Sequence, residues 1–412
     1  MRLLFVSYNG TSDPLVHTQG IAYLKDLKRR GVTVHLVTFE HPQGFRQADR
    51  TERNRLRKEF ATWGMVWHPL RYHKRPAVLS TVFDVTCGWL YTWYLVRRHH
   101  ITLLHARGSI PAAMVAPVAR ATGVRWLFDL RGLLAEEYVD GGLWRRGGLL
   151  HRVVSAVERA LIRHADALVV LTERAAQILT QDPRWRLPRH LNLQVIPCCV
   201  DLQEFEPSAD RPRPPSTFGV DDPFVVAYLG SIGTWYLFDE MVEFFRSVVG
   251  RHAQARLLVV TPQDHHRLVQ QILDRRPELK SKVALRSSRP SDVWRHLVSA
   301  RVGLAFIKPA FSKQFSSPTK IAEYLASGIP VVVNSGVGDL DDFVRRHRVG
   351  VVLNDLTAES YQRGVEELLE LLQDDTLAGR CRQVAREHLS VALGRARYWE
   401  VYQALMRNGA AS

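Results

Sequence analysis

The sequence predicts an α/β protein of two doubly wound domains, each built on a parallel sheet. Three observations carry this. A chain of 412 residues, 46% apolar and 24% charged, has a globular composition and is too long for one compact core. Short β-branched runs alternate with helical stretches over residues 3–196, and the alternation restarts at 224 and runs to 353. Between the two series Pro207, Pro212, Pro214, Pro215 and Pro223 interrupt both periodicities and mark a linker or hinge.

The elements follow in order. Residues 3–7 read as the first strand, because the apolar run there is too short for the core of a secretory leader. A polar loop runs from Tyr8 to Thr18. Residues 20–30 have helical spacing and stop at Gly31, a helix-ending residue. Further strands are expected at 32–39, 65–68, 103–106, 125–129, 167–171 and 194–196, with helices near 50–60, 80–98, 111–122, 149–164 and 173–180. The second series places strands at 224–229, 255–260, 283–285, 302–307, 330–334 and 350–353. Its helices fall near 236–249, 263–275, 291–300, 318–327 and 338–346. The expected domains are 1–205, completed by a C-terminal helix at 395–412, and 206–394. In open α/β sheets, ligands bind beyond the carboxyl ends of the strands.

Charge is uneven. The net charge is +15, and residues 1–200 hold 29 basic against 15 acidic side chains, whereas residues 201–412 hold 27 against 26. The first half therefore suits a polyanionic partner: an acidic membrane surface, a phosphorylated substrate or nucleic acid. No nucleic-acid recognition motif accompanies the charge. Cys87, Cys198, Cys199 and Cys381 form neither a metal-ligand spacing nor a disulfide framework, which fits a reducing compartment. Residues 79–96 are rich in Trp, Tyr, Leu and Val, but Asp84 interrupts them and the stretch is short for a span. A buried or membrane-facing helix is expected there, and no transmembrane helix anywhere.

The most specific stretch is SSPTKIAEYLASGIPVVVN, residues 316–334. A Ser-Ser-Pro turn precedes a helix, Gly328 ends it and a buried strand follows. A helix N-terminus offers free N–H groups and a positive dipole end, which suit a diphosphate. Ser317 and Thr319 lie at that end, Lys320 adds a full charge, and Glu323 could accept two hydrogen bonds from a ribose diol. The same spacing also fits an ordinary amphipathic helix with a solvated lysine and glutamate.

This segment resembles the retaining GT-B glycosyltransferases of family 4, whose second domain carries a Glu-containing helix, a small residue, Gly, x, Pro, Val, Val. Other stretches are similar in the same order: HADALVVLT at 164–172, VIPCCVD at 195–201 with Phe205 and Pro207, VAYLGSIG at 226–233, and SARVGL at 299–304. The resemblance implies the GT-B fold and sugar transfer from a UDP- or GDP-linked donor, which is a co-substrate, with no metal or other cofactor. It implies that Glu323 binds the nucleotide ribose, and it brings Gly230 and Ser231 into the donor site. Two positions depart from the family pattern. Phe315 stands where many members place a sugar-contacting glutamate. Ser231, with Trp235 and Tyr236, occupies the loop where many carry an arginine and a lysine for the diphosphate. The cationic role then falls to Lys320 first, with Lys308, Lys313 and Arg286 as further candidates.

In the first half, His17, Gln19 and Gly20 follow the first strand, and Gly20 could let backbone approach a phosphate or acceptor, or serve a plain turn. His105 lies near one expected strand end, and Asp129 and Arg131, followed by Glu136 and Glu137, lie at the next. Charged residues abutting a buried strand suit catalysis or a structural ion pair, and a buried, hydrogen-bonded histidine is common. No strong nucleophile is required for retaining transfer of this type, where the protein positions reactants and stabilises charge on the leaving diphosphate. Aromatic and basic residues interleave at 63–75, 89–100 and 144–146. They suit an anionic lipid interface, or else core aromatics with solvated cations. The expected partners are a nucleotide-sugar and a glycan or lipid-linked acceptor, with the protein cytoplasmic and peripheral on the inner face of the membrane. Two other readings stay open: a nucleotide-sugar epimerase of the same fold, needing Asp129, Glu137 and His105 to converge on a sugar C2, and a binding subunit that has lost its donor site.

Overall fold

Seven parallel strands form the first sheet in the order β3-β2-β1-β4-β5-β6-β7. The computed structural model describes residues 1–41, 50–73, 75–189, 191–205, 218 and 223–409. The strands are β1 (Arg2–Ser7), β2 (Thr33–Glu40), β3 (Met65–Arg71), β4 (Leu103–Arg107), β5 (Trp126–Asp129), β6 (Ala167–Val170) and β7 (Asn192–Val195). Between them run α1 (Arg50–Thr62), α2 (Ala77–His99), α3 (Ser109–Thr122), α4 (Leu134–Asp140), α5 (Leu149–His164) and α6 (Glu173–Gln181). Leu3, Leu4, Phe5 and Val6 are buried, as a central strand covered on both faces requires. The strand order reverses where β1 pairs with both β2 and β4, so connections leave this point in opposite directions and a crevice opens at its carboxyl end.

The second sheet repeats the scheme with six parallel strands in the order β10-β9-β8-β11-β12-β13. These are β8 (Val225–Leu229), β9 (Arg256–Val260), β10 (Val283–Arg286), β11 (Ala300–Ala305), β12 (Val331–Asn334) and β13 (Gly350–Leu353). Its helices are α7 (Phe238–Arg251), α8 (His266–Asp274), α9 (Val293–Leu297), α10 (Thr319–Ala326), α11 (Leu340–His347), α12 (Ala358–Leu371) and α13 (Leu377–His388). Here the reversal lies between β8 and β11. The last helix, α14 (Val391–Gly409), returns to the first unit. Arg395 pairs with Asp26 at 2.5 Å, and Arg397 donates to the Val195 carbonyl at 2.8 Å.

The chain divides into Met1–Pro197 with Val391–Ser412, and Cys198–Ser390. The division falls at 197/198 rather than 205/206 because Val200 bridges to Ser390 and, with Phe205, is buried in the core of the second unit. Most of the expected Pro-rich linker, from 207 to 217, lies outside the described residues.

One element differs clearly from expectation. Residues 20–30 do not form a single helix. Helical turns Pro14–Val16 and Ala22–Leu24 flank a π-turn at His17–Ile21, and a 3-10 turn at Leu27–Arg30 ends at Gly31 with φ 71°. Arg395 Nε donates to the Ala22 carbonyl at 2.8 Å, claiming the next acceptor in the helical series.

Candidate functional site

In the second unit the reversal point is held by a tyrosine that the sequence reading did not single out. The Tyr324 hydroxyl, on α10, accepts the N–H of Leu229 at 2.8 Å and lies 3.2 Å and 3.3 Å from the carbonyls of Ala227 and Leu304. Its ring lies against Gly303, where an added Cβ would stand 2.5 Å away. Tyr324 thus fixes α10 to β8 and β11. The long-range partners make this invisible to local pattern, although the aromatic beside Glu323 was in view.

Fixing α10 places Lys320 one turn earlier, beside Gly230 at the end of β8. Lys320 is buried, and its Nζ donates to the Tyr228 hydroxyl at 3.3 Å and sits 3.8 Å from the ring centroid of Tyr236. Gly230 has φ 113°, and a Cβ there would approach Lys320 Nζ to 3.2 Å, so the position needs glycine on both counts. Burial pulls the Lys320 pKa down to about 7, against the opposing effect of Glu323. Burial pushes Glu323 up to about 7, with Lys320 opposing and Glu204 adding to the rise. The Glu323 carboxylate accepts no hydrogen bond from the described residues. Pro318 precedes α10 without a side-chain cap, so the first N–H groups of the helix and a buried cation converge, the arrangement suited to an anion.

The other expected donor-side residues scatter. Thr319 opens α10 and is half-buried, at the uncapped end. The Ser317 hydroxyl accepts the N–H of Cys198 at 3.1 Å, which commits it to holding the chain entering this unit. Ser231 is exposed, and its carbonyl takes the Tyr228 hydroxyl. Lys308 is exposed beside the Trp235 carbonyl, to which its backbone N–H donates at 2.8 Å. Lys313 is buried over the Trp235 ring, 3.8 Å from the centroid. Arg286 ends β10, two strands away from β8. Phe315 is buried. The loop after β8 is thus braced by aromatic–cation contacts where two free cations would otherwise stand.

In the first unit, the ends of β4 and β5 bring His105, Arg107, Asp129 and Arg131 together. Asp129 is buried, 3.3 Å from both Arg107 and Arg131. Burial alone would raise its pKa, but Arg131, His105 and Arg107 outweigh this and hold the carboxyl ionised. His105 Nδ1 lies 2.7 Å from the Tyr402 hydroxyl of α14, and its Nε2 is 3.6 Å from Asp129. At 2% and 1% exposure, His105 and Asp129 do not reach solvent as expected of groups acting on a substrate; they hold the two arginines, whose side chains are 10% and 16% exposed. Gly20 lies against the Phe5 ring and Arg107, so the loop after β1 does reach this cluster. Gln19 is buried and accepts the Tyr23 hydroxyl at 2.9 Å, a structural position. Glu137 lies under Gly132, where an added Cβ would come 3.0 Å from its Oε1. Glu158 went unnoticed in the sequence. Buried on α5, it accepts from the Ser109 hydroxyl and from the N–H groups of Leu134 and Ala135, at 2.7, 2.7 and 3.1 Å, and so fixes the segment after Arg131.

Two doubly wound units in one chain, the first completed by the C-terminal helix, define the GT-B class of folds. The first unit matches the glycosyl transferase 4-like domain over residues 22–199, and the second matches the C-terminal domain of the glucosyltransferase 3-like family over residues 306–387. Both units thus match glycosyltransferase domains, and the chain has the fold of the GT-B glycosyltransferases, consistent with the family 4 type. Among solved structures, sucrose-phosphate synthase from Thermosynechococcus elongatus aligns over 100% of both chains at 16% identity with a TM-score of 0.71. A glycosyltransferase from Rickettsia africae aligns over 99% of each chain at 13% identity and 0.71. Anabaena HepE, in complex with UDP and glucose, covers 98% of this chain and 100% of its own at 14% identity and 0.69. These likenesses speak for the fold. No curated protein matches the sequence.

Proposed function

We propose that the protein transfers a sugar from a UDP- or GDP-linked donor to a glycan or lipid-linked acceptor, with retention, in polysaccharide or glycolipid assembly. The reading includes work in the cytoplasm, peripheral to the inner face of the membrane. The observation that carries the donor assignment is the pairing of Lys320 and Glu323 on the uncapped end of α10, beside Gly230. The UDP held by HepE supports a uridine donor.

In this reading Glu323 accepts the ribose hydroxyls, and Lys320 with the first N–H groups of α10 takes the diphosphate. As the bond from the sugar to the diphosphate breaks, charge grows on the leaving oxygen, where Lys320 stabilises it without a metal. Arg107 and Arg131 form the acceptor-side surface, and Asp129 and His105 are positioning residues behind them. The acceptor hydroxyl attacks from the face the diphosphate leaves, and its proton passes to the departing diphosphate oxygen.

Titration calorimetry with UDP and GDP tests the donor site. Lys320→Met and Glu323→Ala should each weaken the better nucleotide by about tenfold or more. Unchanged affinity in both removes the assignment, and no binding by the intact protein favours a lost donor site. NMR of the product anomer tests retention, and turnover in EDTA tests metal independence. A C2-epimerised nucleotide-sugar as product would favour the epimerase, although buried His105 and Asp129 do not support it.

A further inference from the structure

Over most of its length helix α2 is inside out. Its buried side there, at a spacing of four, is Ser80, Asp84, Gly88 and Thr92, with Thr92 0% exposed. Among the described residues, only in its last turns are apolar ones, Leu95 and Val96, buried. Its outer side carries Leu79, Val82, Phe83, Leu90, Trp93 and Tyr94, and Leu79 is 68% exposed. The inward polar group is satisfied: Asp84 accepts from the Tyr8 hydroxyl at 2.9 Å and the His73 N–H at 3.0 Å, and meets His73 Nδ1 at 2.6 Å. Gly88 lets α2 approach α3 so closely that a Cβ would stand 2.4 Å from Met114 Sδ. The outward apolar stripe follows helical periodicity but faces away from the protein, the reverse of a water-facing helix.

The stripe is part of a larger face. The crossovers carrying α2, α3 and α5 all advance in one direction across the sheet, so right-handed connections put these helices in one layer. Helix α3 touches both neighbours and shows Ala113, Ala116 and Pro117 outward. From α5, Leu149, Leu150, Val153 and Val157 are exposed. The only acidic residues on the three helices, Asp84 and Glu158, are both buried, while Arg97, Arg98, Arg120 and Arg152 are exposed. The aromatic–basic group at 63–75 does not join this face in the same way, since Trp67 is buried and Trp63 lies beneath Lys25.

We infer that this layer of the first unit docks on an anionic lipid bilayer, with the outer stripes of α2 and α5 in the boundary between headgroups and acyl chains. Exposed Trp, Tyr and aliphatic side chains ringed by cations, with no exposed acid, are complementary to that surface. A second copy of the chain would fit poorly, because an isologous contact sets arginine against arginine. No described helix is long and apolar enough to cross a membrane, so α2 lies along the surface. Its Asp84 ties it to loops at the carboxyl ends of β1 and β3, which brings the acceptor-side loops next to the bilayer.

The inference deepens the peripheral-membrane part of the proposed function, and it is read without donor or acceptor, so its failure is distinct from failure of the transferase reading. Flotation of the full chain with phosphatidylcholine vesicles, with and without phosphatidylglycerol, is the test. Binding should require phosphatidylglycerol, weaken with added salt, and fall by about tenfold or more in Leu90→Glu/Trp93→Glu, the lost insertion of two apolar side chains. These residues are exposed, so the variant should keep its Tm. Arg97→Gln/Arg98→Gln should also bind less, by a change confined to charge. Absence of flotation, or equal flotation of both variants and the parent, overturns the inference. So does a dimer in sedimentation that the Leu90/Trp93 variant abolishes while vesicles bind neither form.

Discussion

The hydroxyl of Tyr324 accepts the backbone N–H of Leu229 at 2.8 Å, joining the helix that carries Lys320 and Glu323 to the strand that ends at Gly230. Tyr324→Phe removes that acceptor and orphans a buried N–H, at a cost of about 1–3 kcal/mol. The expected result is a lowered denaturant midpoint together with weaker UDP binding. A stability loss with unchanged nucleotide affinity would show that α10 keeps its place without this bond.

Gly230 adopts a backbone conformation hostile to L side chains, with Lys320 where a Cβ would project. Gly230→Ala should therefore lower Tm by several degrees and weaken UDP binding. Differential scanning fluorimetry with and without UDP separates the two effects.

Donor affinity should peak near neutral pH. Above about pH 7 the empty-site Lys320 is neutral, so a diphosphate must bring a proton with it; below about pH 7 Glu323 is protonated and must lose a proton to accept from a ribose. Affinity falls on both sides. Calorimetry across pH 5.5–9 should show the alkaline limb vanish in Lys320→Met and the acid limb vanish in Glu323→Gln, as linkage requires at roughly one proton per limb. A flat profile in the parent protein would contradict the pairing.

Asp129 lies ionised between two arginines in the first unit. Its depressed pKa makes a stabilising contribution that is fully present above the unfolded carboxylate pKa of about 4 and is lost as pH falls through the folded value. Asp129→Asn should cost roughly 3–5 kcal/mol above pH 5, with the gap to the parent narrowing in acid. Arg131→Met, nearer the surface, should cost less stability while reducing turnover. Full activity of both variants would make the cluster purely structural.

Much of the fold was legible because central parallel strands are continuous apolar runs and the helices between them end at Gly31, Gly123 and Gly328, all at positive φ. Local pattern failed where the deciding partner is distant. The helix expected at 20–30 is cut where Arg395, 373 residues away, takes a carbonyl. Periodicity identified α2 without revealing that its polar stripe faces inward, since either face of an amphipathic pattern can be buried. The helix start that carries Lys320 and Glu323 was legible from its motif, but Tyr324, Glu158 and the aromatic bracing of Lys320 and Lys313 are products of long-range packing. The same packing removed Ser317 and Gln19 from consideration as open groups.

The return of α14 to the first unit has a consequence during synthesis. Tyr402 packs against His105, and Arg395 and Arg397 grip segments near residues 22–26 and 195. The second unit, uninterrupted from Cys198 to Ser390, holds all its own parts as soon as it leaves the ribosome. The first unit, although made earlier, waits for residues 391–409 before its arginine-bearing strand ends are fully backed. Vectorial folding ordinarily favours the N-terminal domain; here the first unit is completed last, after all of the second has been made.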